Sequence, residues 1–400
     1  MTKTLFNVNS KNIYLILTTL FLSTCCFICH LTKPFQPLYL FFFPMLGYYL
    51  VIIAKQKFLK ISKSQYLCLL CILYWLTTNM FQVTFSFAPI NVAISMAYYF
   101  LGIEFLKTLS IKQTNKICKY TIGASLAYIL LETIIRIQGK LSLVLIAYVD
   151  MYTRGLIKVN SFMSIDSNMV AIYLLTLCFL SYYMYKNFEH SKFYLFSCII
   201  SICLTFTTIS RAALVVLFLT LLTFNIFTFI KTQVLQKLIR KKMITLKLLL
   251  VLPFIILILM FFILKLIMFF ASDYSLGTKL DLINETFAYI YNVPFYNLLF
   301  GLGTDLDVIS LYFDRATHLF ITSYLVYYGL ISLLLLVIFW WQIIVDTKKK
   351  ALFIILPTLL LGFSICLPSC QIFYVSLAFI YYFEKNRIKT RKDIKCQKYQ

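Results

Sequence analysis

Apolar residues in this chain come in long unbroken runs, and the length of the runs carries the first structural reading. They fall near residues 12–31, 35–54, 66–87, 89–107, 119–138, 168–185, 193–209, 212–230, 248–271, 319–345, 351–366 and 369–383. A run of about 20 apolar residues matches the ~30 Å hydrocarbon core of a bilayer when coiled as a helix. Barrel strands would be shorter and would alternate apolar with polar residues, whereas these runs are apolar all round. The pattern predicts an all-α, polytopic membrane helix bundle of about twelve transmembrane helices. It forms one integral membrane domain over 1–400. The first run lacks a small-residue cleavage site and is followed at once by another, so it reads as a span and not as a leader.

Composition agrees. Only 13% of the residues are charged and 62% are apolar, against roughly 25% charged in soluble domains. The formal net charge of +23 does not imply nucleic acid, because the basic residues sit in short clusters between the apolar runs. With the amino terminus inside, the alternate connections carry 28 of the 37 lysines and arginines, ending in a basic tail at 384–400. The positive-inside bias therefore puts both termini in the cytoplasm, with membrane lipids as partners of these clusters.

The opposite side differs in kind. Two long outer loops, 139–167 and 272–318, hold eight of the fourteen acidic residues. Long loops are usually functional or disordered, and these are too aromatic and apolar for disorder. In the larger one, Leu280, Ile283, Phe287 and Ile290 share a helical face opposite Asp281, Asn284 and Glu285. That spacing predicts an amphipathic helix on the outer surface or capping the bundle, ended by Pro294. No internal repeat is visible.

Polar residues within and beside the spans are few. Glu132 and Arg136 lie four apart in the fifth run. They form either an ion pair within one helix or the lining of a polar cavity open to the outside. Lys265, late in the ninth run, reads as a snorkelling lysine or as part of that lining. Cys68 and Cys71, with no second pair or histidine, read as core residues rather than a metal site. Cys366 and Cys370 flank an outer turn where they are able to oxidise. On the outer side, Arg211 follows Ser210 at a tight turn between two apolar helices. Arg154 and Lys158 precede Asp166-Ser167-Asn168, where Asp166 and Ser167 are also N-cap signals. Arg315 and His318 are three apart at the entry to the tenth run, beside Asp314.

These strings together resemble a family. Thr207-Thr208-Ile209-Ser210-Arg211-Ala212-Ala213 is similar to the TxSRG-like string of the O-antigen polymerase and O-antigen ligase superfamily. Phe300-Gly301-Leu302-Gly303 resembles its FGxG string. Thr317-His318 with Tyr324 and Gly329 resembles its histidine-led entry to the next span. Arg154-Gly155 with Asp166-Ser167-Asn168 resembles its RxG…NPN segment. The correspondence runs in order from about residue 154 to 345. Ala212 stands where the family has glycine, Asp166-Ser167 where it has Asn-Pro, Leu319 where it has asparagine, and Ser332 where it has a second glycine. These departures bear on the ligase branch more than on the superfamily.

The resemblance implies a glycosyltransferase of a bacterial inner membrane, polymerising oligosaccharide repeat units carried on a polyprenol diphosphate of the undecaprenyl type. Flippase and chain-length-regulating proteins are implied as partners. It implies Arg211, Arg154 and Arg315 as diphosphate ligands, since guanidinium forks bind phosphate oxygens in pairs without losing charge. His318 would take the proton of the attacking hydroxyl, with Asp314 or Asp307 as the alternative base. No cofactor and no metal are expected. Asp305-Leu306-Asp307 looks like a metal-binding DxD but faces a compartment without nucleotide sugars. Transfer of finished glycan by a ligase, and a flippase or exporter of the lipid-linked unit, are the competing readings.

Overall fold

The computed structural model describes residues 8–29, 32, 35–55, 61–80, 87–144, 162–163, 167–208, 210–231, 274–303, 305–313, 319–362 and 370–397. Among these residues the chain is helical, with no strand. Its helices are α1 (Val8–Ser23), α2 (Tyr39–Lys55), α3 (Lys63–Met80), α4 (Phe87–Leu106), α5 (Ile111–Val144), α6 (Ser167–Asn187) and α7 (Lys192–Thr207). They continue as α8 (Arg211–Lys231), α9 (Tyr274–Asn292), α10 (Phe295–Phe300), α11 (Leu306–Ser310), α12 (Phe320–Asp346), α13 (Leu352–Leu361) and α14 (Gln371–Gln397).

Four helical stretches have the length and apolarity of a membrane span: Phe87–Leu106, Ile111–Gln138, Asn168–Asn187 and Phe320–Asp346. Five shorter ones are apolar, including α13, whose 10 residues rise only about 15 Å. The all-helical, membrane-type architecture thus holds, while the count of twelve spans is not established. The ninth predicted run, 248–271, lies outside the described residues. So does Lys265.

Connections rich in lysine gather at one end of the bundle. Lys119 pairs with Glu189 at 3.0 Å, and Lys350 Nζ donates to Asn187 Oδ1 at 2.6 Å. Tyr382 OH donates to the Leu109 carbonyl at 2.5 Å, and Tyr14 OH to the Phe105 carbonyl at 2.9 Å. Several of these lysines sit over aromatic rings, Lys119 over Tyr194 at 5.5 Å and Lys385 over Tyr381 at 5.1 Å. That is the arrangement of stems lying along an apolar surface with charged heads in water. Since the helices run up and down, the Thr207–Arg211 turn falls at the opposite end. The junction where Phe320 N–H bonds the Gly362 carbonyl at 2.9 Å falls there too.

The two long loops prove more structured than their length suggests. α5 continues to Val144, into the segment expected as loop. Within 272–318, α9 takes the place of the predicted amphipathic helix and packs on the bundle. Leu282, Tyr289 and Val293 pack against the bundle with Phe313, Leu325 and Val326, and Thr286 Oγ1 meets Thr322 Oγ1 at 2.8 Å. Of the predicted apolar face, Ile283 packs against this cluster, while Leu280, Phe287 and Ile290 are exposed. Pro294 does more than stop α9: it is the N-cap residue of α10. The predicted basic tail continues α14 as helix to Gln397.

α12 is broken. Gly329 has φ 78° and ψ 173°, a region open to glycine alone, which separates 320–328 from 330–346. Carbonyls freed by the break find outside partners. Leu302 N–H bonds the Val326 carbonyl at 2.7 Å, and Gly303 N–H bonds that of Tyr327 at 3.2 Å. Tyr74 OH reaches the Tyr328 and Leu299 carbonyls at 3.3 and 3.4 Å. Trp75 Nε1 donates to Ser332 Oγ just beyond. The break lies nine residues into α12, about 13 Å below its start at 1.5 Å per residue. Part of the larger loop therefore descends into the bundle instead of lying outside it.

A Cβ at Gly329 would overlap the Leu299 carbonyl, whose carbon would stand at 2.5 Å. Gly329→Ala should destabilise the protein by at least about 2 kcal/mol, seen as a lower Tm in detergent. Gly47→Ala on α2, where a Cβ meets nothing within 4 Å, should be neutral or slightly stabilising.

At the basic end, Asn115 Nδ2 and Lys119 bonding the Glu189 carboxylate hold its pKa below the usual glutamate range. Its contribution is complete above the ordinary glutamate value, about 4.3, and is lost as pH falls through the depressed folded value. Glu189→Gln should lower Tm at neutral pH and flatten this acid limb of a Tm-against-pH curve, leaving the most acidic end nearly unchanged.

Candidate functional site

The most informative candidate residue is Arg211, because the structure shows how its corner is built. α7 ends at Thr207 and Thr208. Thr208 Oγ1 donates to the Thr205 carbonyl at 2.8 Å and accepts the Ser210 N–H at 3.3 Å. Ser210 is buried, and its Oγ accepts the Ala213 N–H at 3.4 Å, as an N-cap side chain does. The chain thus turns sharply on hydroxyl–backbone bonds and restarts as α8, with Arg211 as its exposed first residue. The Thr-x-Ser-Arg spacing is that of a capped helix–helix corner.

Placing arginine there opposes helix stability. The first turn of a helix carries unsatisfied N–H groups and the positive end of the macrodipole, so it favours anions and disfavours cations. An exposed guanidinium at that position adds positive charge to an end that is already positive. The corner is therefore electrostatically suited to an anion, and a group with several acceptor oxygens suits it best.

A second guanidinium lies behind it. Arg136 Nε bonds Glu132 Oε1 at 3.0 Å, with neither side chain exposed. Arg136 Nη1 donates to the Thr207 carbonyl at 2.9 Å, and Nη2 meets Thr207 Oγ1 at 3.4 Å. The ion-pair reading of Glu132 and Arg136 is correct. The polar-cavity reading is not, because both groups are sealed inside the bundle. The tie to Thr207 was missed, since nothing local in the sequence marks a contact across 71 residues.

Two other resembling strings meet as well. Phe300-Gly301-Leu302-Gly303 supplies the N–H groups that cap the break in α12. Gly301 sits with φ 83° so close to the Tyr327 carbonyl that a Cβ would stand 2.6 Å away. Ser332 receives Trp75. Leu319 is apolar core against α9 and α11. Asp305 accepts the Asp307 N–H at 3.0 Å as the N-cap of α11, which accounts for the Asp-Leu-Asp spacing structurally. α13 packs against α8 and bonds the start of α12 through Gly362, so it links the Arg211 corner to the entry of α12.

The remaining candidates, Arg154, Lys158, Asp166, Asp314, Arg315 and His318, lie outside the described residues. Cys366 does too. Cys370 is buried, as are Cys68 and Cys71.

No protein-family model matches the chain, and no curated protein is detectably similar to it.

Ser210→Ala removes the cap of α8 and should lower stability by about 1 kcal/mol, measured as Tm in detergent. Ser210→Asp, which retains an acceptor, should restore most of it.

Proposed function

We propose that the protein is a membrane glycosyltransferase that joins lipid-diphosphate-linked oligosaccharide repeat units into a surface polysaccharide. The observation that carries this reading is Arg211, exposed at the positive end of α8 on the side of the bundle away from the lysine-rich connections. A departing polyprenol diphosphate needs a preorganised cation of this kind, worth several kcal/mol where charge develops on the leaving oxygens. The four strings that resemble the O-antigen polymerase and ligase superfamily support the same reading. Two of them, around Gly301 and Gly329, bond to one another directly.

In the proposed reaction the growing glycan leaves its lipid diphosphate and is taken by a sugar hydroxyl of an incoming unit. Arg211 binds the diphosphate, with Arg154 and Arg315 as further ligands. His318 takes the hydroxyl proton, and Asp314 or Asp307 is the alternative base. The active face is the outer leaflet of a bacterial inner membrane, and both termini are cytoplasmic. This orientation follows from the lysine-rich end being the inner one.

Arg211→Ala in the native host should cut long-chain polysaccharide by about 100- to 1000-fold, with single lipid-linked units accumulating on the outer leaflet. His318→Ala should do the same. Polymer of normal length would overturn the reading. Long polymer retained on its carrier would mark a ligase instead, and units trapped on the inner leaflet a flippase.

A further inference from the structure

Two fully desolvated charges inside a membrane bundle are expensive. Apolar residues of similar volume would fill the space near Glu132 and Arg136 more cheaply. Their geometry shows what the charges accomplish. An ion pair confined to α5 needs no other helix, yet the guanidinium extends past Glu132 to α7. There it takes both acceptors of Thr207, the carbonyl at 2.9 Å and the hydroxyl oxygen at 3.4 Å. Thr207 is the last residue of α7, where carbonyls have no partner within the helix and a cation is favoured. Its hydroxyl is itself oriented by donating to the Leu204 carbonyl at 2.7 Å. On the other side, Glu132 is fixed by the Arg136 Nε bond and by Thr133 Oγ1 at 3.4 Å. The tie ends three residues before the Ser210 cap and four before Arg211.

We infer that Glu132 and Arg136 are a positioning pair for the Arg211 corner, with Glu132 aiming the guanidinium and Arg136 pinning the end of α7 to α5. The catalytic consequence rests on the proposal that Arg211 binds a lipid diphosphate; the mechanical consequence does not. Lysine at 136 keeps the charge but lacks the planar fork that serves a carboxylate and two threonine acceptors together. A charge swap, Glu132→Arg with Arg136→Glu, keeps an ion pair but turns a carboxylate, which cannot donate, toward the Thr207 carbonyl.

The experiment has two arms on the purified full chain. In the first, nitroxides at Tyr120→Cys and Arg211→Cys report the distance between α5 and the corner. Cys203, Cys366 and Cys396 are replaced by serine. Tyr120 is exposed on α5. The distribution should be narrow in the parent and broad in Arg136→Lys and in the swap. In the second, transfer from an undecaprenyl-diphosphate oligosaccharide is followed. Both variants should lose kcat by about 10- to 100-fold, the scale of a 1 Å misplacement, with KM changed by less than about 3-fold.

If the swap does not accumulate, Arg136→Lys and Thr207→Val carry the test. A swap that restores both the narrow distribution and kcat would overturn the inference, since any ion pair would then suffice. An unbroadened distribution in Arg136→Lys would overturn it as well, even if Arg211→Ala abolishes polymer. Broadening in a protein whose parent shows no transferase activity would uphold the positioning pair and reject the proposed function.

Discussion

The constraint on which this structure turns is that backbone groups surrounded by apolar side chains must find partners within the protein. Unbroken helices meet it automatically, and most of the chain does so. The departure is Gly329, where α12 stops and restarts and leaves carbonyls without their usual partners. Those carbonyls are met by Leu302 N–H, Gly303 N–H and Tyr74 OH. The segment that supplies the first two must then follow its own close path, which requires Gly301 at positive φ against Tyr327. Each glycine makes room for the other's backbone. The result fastens the loop containing α9, α10 and α11 to the bundle at one defined depth.

Charge obeys a related rule. Lysines cluster at one end, with stems over tyrosine and phenylalanine rings. Arg211 and Arg136 depart from that pattern, and they do so at the same place, the end of α7 and the start of α8. One is buried and bonded to backbone; the other is exposed at a helix end that repels it. Packing accounts for the first through its bonds to Glu132 and Thr207. The second stands exposed at the start of α8, where the macrodipole favours anions.

Much of the helical architecture was legible in the sequence, because apolar runs of bilayer length leave a chain few options. Less legible were the places where two apolar environments compete. α9 carries one apolar stripe through Leu280 and Phe287 and another through Leu282, Tyr289 and Val293. The spacing picks out the first, and the second shows itself only where the folded chain buries it. The break in α12 escaped because a single glycine is common in membrane helices and signals a break only when something nearby can take the freed carbonyls. That partner, Leu302 with Gly303, lies more than twenty residues away. For the corner, the Thr-x-Ser-Arg string pointed to the right place, but its hydroxyl caps and its tie to Arg136 are contacts that only the folded chain discloses.

The cost of burying Glu132 and Arg136 also bears on how the corner is assembled. An i,i+4 pair on one helix is preorganised once that helix forms, so the guanidinium is neutralised within α5 itself. What remains for α7 is a charge-assisted bond to a carbonyl that would otherwise end a helix without a partner. The expensive desolvation is thereby shared between a local pair and a helix terminus that needs a donor. An arginine without Glu132 would bring an uncompensated charge into the bundle. A glutamate without Arg136 would leave both itself and the Thr207 carbonyl unmet. The two charges and the end of α7 are thus one unit, and the exposed Arg211 is set by the buried one behind it.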